Sequence, residues 1–397
     1  MVACALTLLA GHLLKSRCSN PGSHQYRDLC YNDIQPLYLV RGVAEHDFPY
    51  VGGGLEDGEL VDSAIEYPVL TGVFMWASGY FAQDFVEYLE VSALLLAPFA
   101  FLSAYWLARI AGLRALLFAG SSAMVLYAFH NWDLLVVAAS TAGIWMWWRG
   151  RFTWAAVLFG VGAALKMYPG LFLLPLFFDR VTAGDKREGL RSLAAGVGTV
   201  VAINLPFAIA DFEGWWTTYG FHSQRLPNYD TIWLIGFNPD AVADPSVPLL
   251  NFGTAALTVS SIGIALVWAA RRTRTEGIYP FVQASGAILC SFLLWNKVHS
   301  PQYALWLMPF FVLIGVRVVW WIAYSIADLM VYVGVFRWFY DFGATQDLEQ
   351  TTFAKGLLVA GVWVRAALLV LLFIVFMKAP PEVDKKKLVT TGPEPPG

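Results

Sequence analysis

The chain reads as an all-α polytopic membrane protein, a helical bundle of about 11–13 membrane segments with some short or re-entrant. Three observations predict this. Of its 397 residues 58% are apolar and only 14% charged, where a soluble domain carries about a quarter charged residues. Apolar runs recur along almost the whole length, so residues 1–378 are expected to form one polytopic domain. The basic residues are gathered into a few loops, as in a chain oriented across a bilayer.

The opening "MVACALTLLAGHLL" offers fourteen mostly apolar residues before Lys15. That is short for a span of roughly twenty, and it lacks the basic leader and cleavage site of a secretory signal. It reads as a first membrane helix whose cytoplasmic start is left open. Residues 15–66 form a polar first loop. Within it Cys18 and Cys30 can pair if the loop faces an oxidising compartment, although this spacing alone is a weak signal. Cys4 and Cys290 fall in apolar runs and are expected to pack. Apolar blocks follow at 67–82, 89–108, 115–130, 132–148, 152–167, 169–178 and 192–210. A second large loop covers 211–248, and further blocks lie at 249–270, 279–295, 303–321, 322–340 and 356–377. The Pro-rich, charged residues 379–397 are expected to be a disordered cytoplasmic tail.

Orientation follows from the basic loops. "RGR" at 149–151, the segment 179–191, "RRTRTE" at 271–276 and the tail should be cytoplasmic, which puts 15–66, 211–248 and 296–303 outside. One conflict arises: a full crossing by 67–82 would place "RGR" outside. The expectation is therefore that 67–82 dips without crossing and that 169–178 is short or broken, as tolerated where a segment lines a protein cavity. The polar clusters "CYNDIQPLY", "EYPVLTG", "HNWD", "LKMYPG" and "NKVHSPQY" then share the outer face. Ionisable groups at membrane depth are functional candidates by default.

Each cluster has a plain alternative. Asp33 can act as a general base on an acceptor hydroxyl, or simply cap the helix that begins "IQPLYLVRG". The carboxylates Glu45, Asp47, Glu56, Asp57, Glu59 and Asp62 match no calcium loop and read as a solvated run. Glu66, abutting Tyr67 and Pro68, is expected to face the site. Lys166 suits a phosphate at the membrane surface, against a snorkelling role. Lys297, His299, Gln302 and Tyr303 repeat that theme, with His299 donating to a leaving phosphate or moving a proton. Arg225 adds a cation, or serves its loop. His130, Asn131 and Asp133 make a polar turn that can equally line the site. A carboxylate side and a cationic side suit displacement of a phosphate from a lipid-linked donor.

The order of these motifs, Asp33 after the first helix, then "EYPVLTG", "HNWDLL", "LKMYPGLFLLPLFF" and "NKVHSPQYALWLMP", resembles actinobacterial members of glycosyltransferase family 87 over roughly residues 28–320. The chain departs from that pattern in its short first helix and in "EYPVL", where many relatives carry a double proline. The resemblance implies a GT-C fold and transfer of mannose or arabinose from a polyprenyl-phosphate donor. The acceptor would be a lipid or polysaccharide outside the plasma membrane, and the anomeric carbon would invert. It implies Asp33 as the catalytic carboxylate.

The expectations are then specific. Asp33 is the base and His299 a catalytic partner. Lys166, Tyr168, Arg225, Lys297, Gln302 and Tyr303 meet the donor phosphate or lipid, while Asn32, Glu66, Tyr67, His130 and Asp133 line the substrate groove. No metal ligand set and no cofactor are expected, with a divalent cation kept open. Partners are membrane lipids, the donor and a glycolipid or polysaccharide acceptor, without nucleic acid, and the protein is expected to be a monomer in cell-envelope biosynthesis. A transporter or flippase of a lipid-linked sugar is the rival, but the inverted repeat many transporters show is not found by eye. A non-catalytic scaffold would scatter its polar residues rather than cluster them on one face.

Overall fold

An embedded backbone has no water to bond, so each lipid-exposed segment must satisfy its own N–H and C=O groups. A computed structural model of the chain describes residues 1–18, 22, 24–237, 247–345, 347, 350–381 and 383. Those residues are helical nearly throughout, with one small hairpin. Of the expected tail, 379–397, residues 382 and 384–397 lie outside the described residues.

The first part of the chain runs α1 (Val2–Ser16), α2 (His24–Arg27) and α3 (Ile34–Val40), with Cys18 and Cys30 joined by a disulfide between α1 and α3. The hairpin β1 (Gly54–Glu56) and β2 (Glu59–Val61) turns on Asp57 and Gly58, both at positive φ, the two-residue turn that matches strand twist. Glu45, Asp47, Glu56, Asp57, Glu59 and Asp62 are all exposed, as a solvated run should be. Next come α4 (Val69–Gly79), α5 (Phe85–Ala111), α6 (Leu116–Ala119) and α7 (Ser122–Tyr127). At 11 residues α4 is about 16 Å long, roughly half a hydrocarbon layer, which fits a dip better than a crossing. Asp84 starts α5 by accepting from the Val86 and Glu87 amides.

The remaining helices are α8 (Asp133–Trp148), α9 (Phe152–Leu165), α10 (Leu173–Thr182), α11 (Lys186–Ala210), α12 (Phe212–Gln224), α13 (Val247–Glu276), α14 (Phe281–Trp295), α15 (Ala304–Leu313), α16 (Val318–Thr345) and α17 (Phe353–Lys378). Two expected blocks are redrawn. The run 115–130 is broken at Gly120, because Ser121 caps a new helix by accepting from the Met124 amide. The boundary expected at 321/322 falls at 314–317 instead. There the Arg114 guanidinium gathers the carbonyls of Phe311, Val312, Ile314 and Val316, satisfying the oxygens that α15 leaves unbonded at its end.

Among the described residues, five stretches are long and apolar enough to cross a bilayer: α5 through α6, α11, α13, α16 and α17. On α11 and α13 large apolar side chains such as Val197, Val201, Val259 and Ile264 stay exposed, forming a surface suited to lipid. In contrast α8, α14 and α15 are enclosed, with nearly every residue buried. The close pairing of α16 and α17 needs small residues: a Cβ on Gly334 would stand 2.7 Å from Leu358 backbone.

The short inner helices position the site. With 16, 14 and 15 residues, α8, α9 and α14 are about 21–24 Å long, less than the ~30 Å hydrocarbon layer. At α8's start, α9's end and α14's end the chain turns irregular, and irregular backbone within such a layer must be enclosed by protein. Those three ends meet at one end of the bundle.

Candidate active site

A cavity of about 790 Å³ opens at that end, within the range of small-molecule sites. Asp33, Glu66, Lys166, Arg225, Lys297 and His299 all line it. Residues far apart in the chain converge there because their helices stop at the same level.

Asp33 stands at the N-cap position of α3, yet its side chain caps nothing. Asn32 caps the helix instead, its Oδ1 accepting from the Gln35 amide at 2.9 Å while its Nδ2 donates to Gln35 Oε1 at 2.9 Å. The Asp33 amide donates to the His130 carbonyl at 2.7 Å, which anchors the carboxylate toward the cavity. Its Oδ2 accepts from Asn131 Nδ2 at 2.8 Å and Gln302 Nε2 at 3.4 Å, and lies 3.9 Å from His130 Nε2. Ser300 donates to Gln302 Oε1 at 2.5 Å, which turns the Gln302 amide group to Asp33. Burial holds the Asp33 carboxyl above its ordinary range, opposed by donors such as Asn131 and Tyr31. A carboxylate offers about four acceptor sites, so capacity remains for a substrate proton.

Lys166 follows the last turn of α9, in extended backbone. Its ammonium lies 3.4 Å from Asp133 Oδ2 and 3.5 Å from Asn131 Oδ1, with the Tyr67 and Tyr303 ring centres at 4.7 and 5.7 Å. This is a cation caged by one carboxylate and two aromatic faces. Asn131 ties the two halves together, since it also donates to the Tyr67 hydroxyl at 2.6 Å.

The other side of the cavity is built on the loop 296–303. His299 Nδ1 is 2.5 Å from Asp230 Oδ2, and Arg365 on α17 donates to the Asp230 carbonyl with its guanidinium 3.7 Å from the same carboxylate. Burial pushes the His299 imidazole down, as does Arg365, while Asp230 pulls the other way. Asp230 stays below its usual range: burial would raise it, but His299 and Arg365 outweigh that. Lys297 donates to the Ser223 carbonyl at 3.2 Å and the Arg225 carbonyl at 2.6 Å, pinning the end of α12. Arg225 itself lies over the Phe221 ring at 5.6 Å.

The expected site residues thus divide. Asp33, Lys166, His299, Gln302, Tyr67, Tyr303 and His130 come together around the cavity, and Glu66 lines it while bonded to Arg41 at 2.7 Å. Asn32 and Asp133, expected in the groove, do not line it. Asn32 is spent on capping α3, and Asp133 is fully buried behind Lys166, accepting from Trp306 Nε1 at 2.6 Å. Tyr168 also lines the cavity although only 1% exposed, with Ser140 donating to its hydroxyl at 2.9 Å and its ring stacked on Trp306 at 4.4 Å. Lys297 has two of its three protons on backbone carbonyls, leaving one for a ligand. Asp230 and Arg365 were missed. An arginine inside the apolar run 356–377 was a usable signal for the second. Among the described residues no three His, Cys, Asp or Glu side chains converge as a metal site would require.

The family model described as glycosyltransferase family 87 matches residues 65–295, more than half the chain. The matched segment takes in Glu66, Tyr67, His130, Lys166 and Arg225, whereas Asp33, Lys297 and His299 lie beyond it. No curated protein matches the chain.

Proposed function

Because the chain belongs to glycosyltransferase family 87, we propose that it moves mannose or arabinose from a polyprenyl-phosphate donor to a lipid or polysaccharide acceptor on the outer face of the plasma membrane. The membrane glycosyltransferase is the premise; donor, sugar, acceptor and sidedness are the proposal. The observation that carries it is the anchored Asp33 carboxylate, sharing one cavity with Lys166, Arg225, Lys297 and His299. Asp33 takes the proton of the acceptor hydroxyl as that oxygen attacks the anomeric carbon. The bond from that carbon to the phosphate oxygen breaks, and the leaving polyprenyl phosphate keeps the electron pair. The cations stabilise the charge that develops there. A single displacement inverts the anomeric centre, and no cofactor enters.

His299 has a conditional part in this route. With Nδ1–H directed to Asp230, a neutral ring offers only a lone pair at Nε2, so it donates to phosphate when a bound anion raises its proton affinity. Sidedness is supported by the arginines and lysines of 149–151 and 186–191, which sit at the bundle end opposite the cavity. The Cys18–Cys30 disulfide, on the cavity side, suits an oxidising compartment. The GT-C arrangement, with its acidic residue in the first outer loop, accommodates Asp33.

The test is transfer of radiolabelled sugar from polyprenyl-phosphate-mannose and polyprenyl-phosphate-arabinose in membranes holding wild-type protein or Asp33→Asn. Product from one donor that vanishes in the variant supports the donor and the base together. Undiminished product in the variant means that Asp33 is not the base, and no product from folded wild type with either donor removes this donor class.

A further inference from the structure

Resting on the reading of Asp33 as base, we propose that Lys15 is a positioning residue that holds His130 in the tautomer whose Nε2–H faces the Asp33 carboxylate. Lys15 closes α1 and is completely buried, which is costly for an ammonium unless every proton is used. Nothing in the transfer route employs it directly.

The tautomer follows from counting protons. The ammonium has three to give and accepts none. It has three partners: the Tyr31 carbonyl at 2.6 Å, the Tyr332 hydroxyl oxygen at 3.1 Å and His130 Nδ1 at 3.2 Å. The carbonyl can only accept. The Tyr332 hydroxyl spends its single proton on the Leu29 carbonyl at 2.5 Å, so toward Lys15 it accepts as well. The third ammonium proton is left for His130 Nδ1, which accepts it when bare, in competition with the ring's own contact to the Tyr31 backbone. A neutral imidazole with a bare Nδ1 carries its proton on Nε2, the atom 3.9 Å from Asp33 Oδ2. A protonated Nδ1 would instead press an N–H against the ammonium.

The consequence falls on the base. Asn131 and Gln302 already donate to Oδ2, and His130 Nε2 stands 3.9 Å from the same oxygen, within reach of a third N–H contact once the site tightens. That set keeps the carboxylate ionised and turned the same way in each cycle, closing up as substrate enters. The hydrogen bonds of Lys15 reach Asp33 through His130 and the Tyr31 carbonyl, and its charge also acts on the carboxylate directly, so the His130 spectrum rather than kcat isolates the positioning role. With Lys15 gone, His130 is free to place its proton on Nδ1 and turn a lone pair to the carboxylate, repelling it.

The experiment is ¹⁵N spectroscopy of histidine-labelled full-length protein in detergent, with His130 assigned by its loss in His130→Gln. The expected wild-type spectrum shows His130 protonated at Nε2 and bare at Nδ1, whereas His299, facing Asp230, shows a protonated Nδ1. Lys15→Met, which keeps length but gives no proton, should change the His130 signature. It should lower kcat roughly ten- to hundredfold, the worth of a hydrogen bond to a charged group, with the donor KM little changed. A wild-type His130 protonated at Nδ1, as a neutral Lys15 amine would produce, overturns the proposal. So does Lys15→Met with an unchanged spectrum and unchanged kcat. The wild-type spectrum decides the matter even where the variant fails to fold. Failure of the transferase reading is seen separately, as folded wild-type protein that transfers no sugar.

Discussion

At the end of the bundle away from the cavity, Arg149, Arg151, Lys186, Arg187, Arg191, Arg271 and Arg274 are all exposed. At the cavity end Lys15, Lys166, Lys297 and Arg365 are buried, between 0% and 7% exposed, and each is held by named acceptors. Charges of the first kind are screened within about 10 Å and contribute little pairwise, so they act by number and sign, as an orientation signal does. Charges of the second kind cannot be averaged. Each one stripped of its partner is an uncompensated ion in a poor solvent. The same residue types therefore do collective work at one end and individual work at the other.

Substitutions can break that contrast, and the largest effect is expected at Asp33. Asp33→Asn should lower kcat/KM about 10²- to 10⁴-fold, the worth of a positioned base, at unchanged protein level. Labelled-sugar transfer measures it, and a loss under tenfold would place the base elsewhere. Asp230→Asn comes next, since it takes the carboxylate away from the His299 Nδ1–H and from the buried Arg365 guanidinium. Removing one partner of a buried ion pair costs about 3–5 kcal/mol. Thermal unfolding in detergent should show a clear drop in Tm, and an unchanged Tm would mean that the pair is not compensating anything.

The acid limb of the pH profile sharpens the comparison further. Asp33 must be ionised to act, and burial raises its pKa above the ordinary value of about 3.9. Activity is then full above the raised pKa and lost as the pH falls through it, so the limb should lie higher than for an exposed carboxylate. A limb in kcat/KM at or below the ordinary value contradicts the buried base. The smallest effect belongs to the far end. Arg187→Gln with Arg191→Gln should change stability by no more than about 0.5 kcal/mol and transfer by less than roughly twofold. A large loss of transfer there would show that this end does more than set orientation.

Much of the site was legible because it sits in interruptions of apolar runs. "LKMYPG" and "NKVHSPQY" announce themselves by placing Lys, His and Gln where lipid would reject them, and both line the cavity. "EDGE" at 56–59 carries the Asp-Gly signal of its hairpin. The finer assignments were not legible. Whether Asp33 caps α3 or faces the cavity depends on whether Asn32 takes the cap, and both residues are competent for it. Asp133 and Lys166 look like separate contributions to a groove until the fold puts them 3.4 Å apart, one behind the other. Arg114 gave no hint that it would close the end of a helix some two hundred residues later.

Apolar length, the sorting of basic loops and the positions of helix breakers are local properties, and they determine a polytopic all-α bundle with its polar clusters at helix ends. Lipid enforces this, because a backbone without water has almost no choice but to close its own hydrogen bonds. Pairing is not local. Lys15 with His130, Asp33 with Asn131, and His299 with Asp230 and Arg365 bridge separations of 115, 98, 69 and 135 residues, if the last is counted from Asp230 to Arg365. A buried charge accepts any competent partner that packing delivers, and only the assembled bundle decided which ones arrived.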